Sequence, residues 1–241
     1  MELPGRNILQ VVERQCRRWE IQTERQRLKP TEHEHWPVIT ISREFGARGE
    51  TLAKIVADRI GYSVWDGELI HVISKETGAN EAVLKSLDEQ RRRNIEDSIQ
   101  GALMGGEYMN DDYLRRLMRL VHTIASFGKS IIVGRGANCI LDPDSILRVR
   151  VVCPLEERIR GYAKRQGLDE RQARQKVEKT DRERAVFIRQ NFHGDVSNPS
   201  EHDLILNTGT LPLERLVPVV LQAYEAKFGR RPHEVQATNS F

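Results

Sequence analysis

The stretch VITISREFGARGETLAKIVADRIGYSVWD, Val38 to Asp66, decides the fold. Val38 to Ser42 form a short apolar run suited to a buried strand, and the polar, glycine-containing segment after it predicts a turn. A helix is predicted from about Gly49 to Ile60, stopped by Gly61. Tyr62 to Trp65 then predict a second short strand. This order puts a backbone nest and a helix N-terminus at the carboxyl end of a parallel strand. Unpaired N–H groups and the helix dipole both favour an anion there, so the turn suits a phosphate. A tight strand-to-helix turn without a ligand is the other reading, and both stand at this point.

Outward from this segment, strands and helices keep alternating. Residues 67–127 are mainly helical, with a break around Gly105-Gly106 and another at Gly128. Ser130 to Val133 predict a third strand and Ile146 to Val152 a fourth. Pro154 opens a further helix, at a position where proline is tolerated. Basic helical segments run on to about Asn191. Leu204 to Leu206 predict a fifth strand, and Pro212 begins a last helix reaching about Phe228. Short strands separated by helices mean a parallel sheet covered on both faces, hence an α/β protein. Residues 1–35 differ: Ile8, Val11, Val12, Cys16, Trp19 and Ile21 recur at roughly helical spacing, ahead of Lys29-Pro30 and the polar linker TEHEH. They predict a helical extension and linker suited to packing on the main domain, a partner or a second copy. The main domain is expected over 36–228, with a tail at 229–241.

Composition narrows the function classes. Hydrophobic residues make up 39% of the 241 and charged residues 30%, the mark of a globular chain with a well-charged surface. A net charge of +3 is small for this length and gives no concentrated basic face for nucleic acid. Cys16, Cys139 and Cys153 are scattered without a CxxC pair, which argues against a disulfide framework or zinc site and fits a reducing cytoplasm. The charged N-terminus does not read as a signal peptide, and no apolar run approaches the roughly 18 residues of a membrane span. His33 and His35, set among glutamates between prolines, read as a solvated linker; His71, His122, His193 and His202 form no hydrolase or metal pattern.

The standard phosphate loop is G-x-x-x-x-G-K-[ST], whose lysine reaches the outer phosphates and whose hydroxyl binds magnesium. Here the turn is Ser42-Arg43-Glu44-Phe45-Gly46-Ala47-Arg48-Gly49-Glu50-Thr51, with no lysine. Arg48 is able to supply the missing charge, since a guanidinium holds two phosphate oxygens at once. Thr51 offers a hydroxyl for a metal, and Gly46 and Gly49 let the backbone curl. Glu50 repels a triphosphate unless a cation intervenes, or else it simply favours the first turn of the helix.

At these residues the chain resembles nucleoside monophosphate kinases, and within them the divergent cytidylate kinase-like family. Thr51-Leu52-Ala53-Lys54, Arg59-Ile60-Gly61-Tyr62 and Trp65-Asp66 are similar to the kinases' T-L-A-K, L-G-Y/F and strand-ending aspartate. The S-R-E-F-G-x-x-G loop resembles that branch. IIVGRGANCIL, Ile131 to Leu141, is similar to the strand and G-R-D turn that holds an acceptor phosphate. Asp181-Arg182-Glu183-Arg184 matches the acceptor-binding D-x-x-R, and Asp203 to Thr208 the closing strand. The set covers about residues 36–226 in the family's order. Departures accompany it: Gly49 stands at the loop lysine, Arg48 at the preceding glycine, Gly136 at the aspartate of G-R-D, and Val177 at an acceptor-binding arginine.

The resemblance implies a three-layer P-loop NTPase-like fold with a five-stranded parallel sheet and helical acceptor-binding and lid regions. It implies magnesium- and ATP-dependent phosphoryl transfer to a nucleoside monophosphate, CMP or dCMP first. Arg43, Gly46, Arg48, Gly49, Thr51 and Arg158 would hold the donor phosphates, with Thr51 on the metal. Asp66, Arg135, Asp181 and Arg184 would hold the acceptor, with Asp181 either contacting a cytosine or holding an arginine in place, and Arg48, Arg135 and Arg184 would neutralise the moving phosphoryl group. Arg135 suits this by standing at the carboxyl end of a parallel strand, where ligands bind; a surface salt bridge is the other reading. Asp66 reads equally as a helix N-cap. The basic stretch Arg158 to Gln190 would be the lid, with Arg182 and Arg189 as further candidates. Expected partners are nucleotides, not nucleic acid or membrane, with the N-terminal helix open to a partner or to self-association. A non-catalytic nucleotide-binding or regulatory module, and a kinase of another small acceptor, remain open alternatives.

Overall fold

The structure, a computed structural model, describes residues 36–75, 89–103, 112–232 and 234. The expected N-terminal helix, the break at Gly105-Gly106 and most of the C-terminal tail lie outside the described residues.

The chain divides into two units. One holds Pro37–Asp66 and the residues from Ser130 onward, and the other holds Gly67–Lys129. The first is built on five parallel strands, β1 (Val38–Arg43), β2 (Ser63–Trp65), β3 (Ser130–Val133), β4 (Ile146–Val152) and β5 (Leu204–Asn207), in the order β2-β3-β1-β4-β5. This is the α/β arrangement on a five-stranded parallel sheet expected from the sequence. Central β1 and β3 are mostly apolar because both faces are covered, and Ile39, Ile131, Ile132 and Val133 are fully buried. Edge strand β5 leaves Ile205 exposed.

Helix α1 (Gly49–Ile60) buries Leu52, Ala53, Val56, Ala57 and Ile60 along one stripe. Gly61 ends it in the left-handed region, its N–H bonding Ala57 O, as the sequence predicts. The final helix, Leu213–Phe228, packs on α1 and on β4, and the Tyr224 hydroxyl donates to Pro37 O at 3.0 Å. The second unit comprises α2 (Gly67–Lys75), α3 (Glu89–Leu103) and α4 (Asp112–Phe127). On α4, Leu114, Leu117, Leu120, Val121 and Ile124 form the buried stripe. After β3 comes a short helix, α5 (Ala137–Ile140), where the sequence predicts only a turn. Then α6 (Leu155–Gln166) and α7 (Glu170–Phe192) form a hairpin around Ile159, Ala163, Ala173 and Val177. The last helix is thus α8. Among the described residues, no helix is long and apolar enough to cross a membrane.

The edge of the sheet is held by charge. Asp203 accepts from Arg148 Nη2 at 2.8 Å, from the Arg148 amide at 2.8 Å and from Lys227 Nζ at 2.7 Å. Burial alone would raise its carboxyl, but these donors outweigh it and bring the pKa down to about 2. An unfolded aspartate titrates near ~3.9, so the ionised form favours the folded state above that pH, and the gain disappears as pH falls from about 4 to about 2. Asp203→Asn is expected to lower stability at pH 7 by about 1 kcal/mol, a figure discounted because the group is largely solvated. The gap from the parent chain should close near pH 2, as followed by denaturant unfolding across pH.

Candidate functional site

The turn from β1 into α1 is built from both sides. Glu44 N extends the ladder to Val151 O at 3.1 Å, and Ala47 N closes on Glu44 O at 3.2 Å. Gly46 has φ +85°, and a Cβ there would sit 3.2 Å from Arg158 Cβ. The Phe45 peptide is gripped at both ends: its N–H donates to Asp181 Oδ1 at 2.6 Å, and its carbonyl accepts from Arg158 Nη1 at 3.1 Å. Arg158 and Asp181 also pair with each other at 2.5 Å, while Arg158 Nε donates to Cys153 O. Thr208 Oγ1 donates to Ala47 O at 2.8 Å, and Arg48 Nη2 donates back to Thr208 O. Arg48 has φ +61° and serves as N-cap of α1 without a side-chain cap bond. Leu52 N takes the first intrahelical bond, to Arg48 O, so the amides of Gly49, Glu50 and Thr51 precede any helical partner.

These amides border a cleft of about 330 Å³. Its floor is the turn itself, and its rim is Tyr162, Arg165 and Gln166 of α6 with Arg184 of α7. The volume lies at the low end of the ~300–1,000 Å³ usual for ligand sites, a size suited to a polyphosphate chain.

Arg43 crosses this floor. Its side chain is only 12% exposed, and Nη2 pairs with Glu50 Oε1 at 2.6 Å. A Cβ on Gly49 would lie 2.7 Å from Arg43 Cβ, and one on Gly134 would collide with Arg43 Nη1. The guanidinium therefore lies between the β1–α1 turn and the Gly134-Arg135-Gly136 turn after β3. Its Nε is buried without a partner. Arg184 donates to Arg43 O at 3.2 Å and lies over the Phe45 ring, 5.5 Å from its centre. Burial, then the nearby Arg43 charge, pushes the Arg184 guanidinium down to about 10. It stays protonated at neutral pH, and an incoming anion relieves this like-charge crowding. Burial alone would raise the Glu50 carboxyl, but the Arg43 bond and the Arg43, Arg184 and Lys54 charges hold it below its ordinary value.

The sequence-predicted residues thus separate. Gly46, Arg48, Gly49 and Thr51 line the cleft, as do Arg43 and Arg184. Arg48 is exposed, with its guanidinium turned to the β5 end at Thr208, whereas Arg43 spans the two turns. Arg158, expected on the lid, is 6% exposed beneath the turn and committed with Asp181 to the Phe45 peptide. Arg135 (φ +56°) sits at the carboxyl end of β3, close enough for its charge to act on Arg184. Asp66 follows β2, half-buried.

The departures from the phosphate-loop pattern have physical reasons. Arg43 occupies the space a side chain at Gly49 would need. The Phe192 ring occupies that of Gly136, whose φ is +70°, and Val177 is a core residue of the α6–α7 hairpin. Gly49→Lys, restoring the familiar lysine, is therefore expected to lower stability by about 1–3 kcal/mol through overpacking and to leave nucleotide binding no tighter. Thermal unfolding and nucleotide titration of the variant check this. Sequence reasoning missed Arg150, whose Nη1 donates to Ser42 Oγ at 2.7 Å beside Glu44 and Asp181. The available signal was the pair of arginines, Arg148 and Arg150, within an apolar strand, where a charge needs a partner.

The family model described as the cytidylate kinase-like family matches residues 38–210. The chain belongs to this family. A cytidylate kinase from Archaeoglobus fulgidus is 26% identical over 78% of this chain and 95% of its own length. One from Ignicoccus hospitalis is 23% identical over 76% of this chain and 96% of its own length. A uronate isomerase from Corynebacterium glutamicum is 25% identical over only 41% of this chain and 19% of that protein. The crystal structure of an uncharacterized protein from Eubacterium ventriosum covers 79% of this chain and 99% of its own, at TM-score 0.60 and 18% identity, which speaks to the fold alone. Membership in the family supports kinase chemistry on a nucleotide or another small molecule.

Oxygen donors suited to magnesium stand at the cleft: the Thr51 hydroxyl and the Glu50 carboxylate on the first turn of α1. Among the described residues, no cluster of His, Cys, Asp or Glu is large enough to hold a metal by itself.

Proposed function

We propose that the protein transfers the terminal phosphoryl group of ATP to a nucleoside monophosphate, CMP or dCMP, in the cytoplasm. The observation that carries this reading is the Arg43 guanidinium lying between the β1–α1 turn and the β3 turn, with Arg184 beside it. Donor phosphates would lie on the amides of Gly49 to Thr51, and the acceptor phosphate near Arg135. An oxygen of the acceptor phosphate attacks the γ-phosphorus; that bond forms as the bridge to the β-phosphate breaks, and ADP leaves. The protein's part is alignment and neutralisation of charge. Arg43 would hold the moving group, Arg184 would approach from α7, and Arg135 would fix the acceptor. Asp66 would orient the acceptor's sugar or base. Arg158 and Asp181 would act indirectly, by fixing the bend at Phe45. When bound, magnesium held by Thr51 and the phosphates supplies further charge neutralisation on the donor.

A coupled assay with a panel of monophosphates tests the reading. Turnover with CMP and dCMP well above the other acceptors is expected, and none with any monophosphate would reject it. A non-catalytic nucleotide-binding module is favoured by one observation, the Glu50 carboxylate resting on Arg43. Thermal stabilisation by ATP without turnover would decide for it.

A further inference from the structure

Glu50 is the first acidic side chain on α1 and lies 54% exposed at the cleft, yet it bonds the largely buried Arg43 rather than water alone. Arg43 has little freedom to leave: its Cβ packs on Gly49 and its Nη1 on Gly134, so the carboxylate comes to the guanidinium. The carboxylate belongs to a residue that lines the same cleft as Gly49 and Thr51, so an anion seated on the α1 amides shares the cleft with it. We propose that the Arg43–Glu50 pair is a latch that makes the cleft select the divalent-cation complex of a nucleoside triphosphate over the free triphosphate.

The inference rests on the reading that the cleft receives polyphosphate. A free triphosphate that takes Arg43 leaves Glu50 unpaired against its own negative charge. A divalent cation on the phosphates gives that carboxylate a new partner, alongside the Thr51 hydroxyl one residue on. The same anionic side chain thus opposes one form of the ligand and favours the other. Like charges a few ångströms apart at a partly exposed site differ from an attracted pair by enough to shift affinity about tenfold or more. Glu50 then determines specificity through the metal, while the arginines hold the phosphates.

Equilibrium titration of the full chain with ATP in excess EDTA, and again with excess magnesium, tests the latch without any turnover. The parent chain is expected to prefer the magnesium complex by about a hundredfold, and Glu50→Gln to reduce that preference at least tenfold, mainly by tightening metal-free ATP. Glu50→Ala should behave alike, and thermal unfolding of both variants verifies folding. Manganese retained on the protein with ATP, read by electron paramagnetic resonance, should fall in both. An unchanged preference in the two folded variants overturns the latch, as does a parent chain that binds neither form. Magnesium-ATP binding with no transfer to any monophosphate would reject the kinase reading and leave the latch standing.

Discussion

Arg43→Ala is expected to lower the rate of phosphoryl transfer about a thousandfold while leaving the fold intact. The magnitude follows from losing one preorganised cation at a largely buried site, where charge that develops on the phosphoryl group has no solvent to turn to. The fold should survive because the alanine keeps the Cβ that packs on Gly49, and the abandoned Glu50 is exposed enough to hydrate. Arg43→Lys should recover only part of the rate, since an ammonium is a point charge of shorter reach and cannot bridge two turns as a planar fork does. Steady-state kinetics with saturating ATP, beside circular dichroism, measure both halves of this expectation. If Arg48→Ala instead caused the larger fall, the charge would come from the exposed residue that the turn sends toward Thr208.

Asp181→Ala should act through stability. Removal strands Arg158, 6% exposed, with Glu44 at 3.4 Å as its remaining ion-pair partner, and releases the Phe45 amide. Breaking a buried pair from one side costs about 3–5 kcal/mol; the partial exposure of Asp181 brings the expectation to about 2–4 kcal/mol. For a chain of this size that lowers the melting temperature by about 4–16 °C. ATP binding should weaken as well, because the bend at Phe45 loses one of its two grips. Asp181→Asn keeps an oxygen for the amide and should fall between. Had Asp181 contacted the acceptor, as its D-x-x-R position suggests, the acceptor KM would rise with stability unchanged. Denaturant unfolding together with separate ATP and CMP kinetics distinguishes the two.

Much of the sheet was legible because buried parallel strands leave plain apolar runs. β3 and β4 begin and end where SIIV and ILRVRVV do, and α1 stops at Gly61, a residue that takes the left-handed conformation without strain. α5 was missed because four residues are too few to show a helical period. The site was legible only as a set of residue types in one turn. Where each guanidinium goes depends on contacts remote in sequence: Arg48, which lines the cleft, bonds Thr208 O, Gly134 makes room for Arg43, and Asp181 fixes Arg158 under Phe45. Glycines at 49, 134 and 136 report those neighbours only once the neighbours are placed. The sequence put Arg48 in the place of the lysine and Arg43 among the phosphate contacts; both line the cleft, Arg43 paired with Glu50 and Arg48 bonded to Thr208 O.

The central claim is that polyphosphate lies in the β1–α1 turn with Arg43 on its outermost group. A crystal structure with a non-hydrolysable ATP analogue, magnesium and CMP tests it most directly. The expected density has the β- and γ-phosphates on the amides of Gly49 to Thr51, the Arg43 guanidinium on the γ-phosphate and Glu50 released from it. A cleft still closed by the Arg43–Glu50 pair at saturating ligand, or a triphosphate bound elsewhere on the chain, would contradict it.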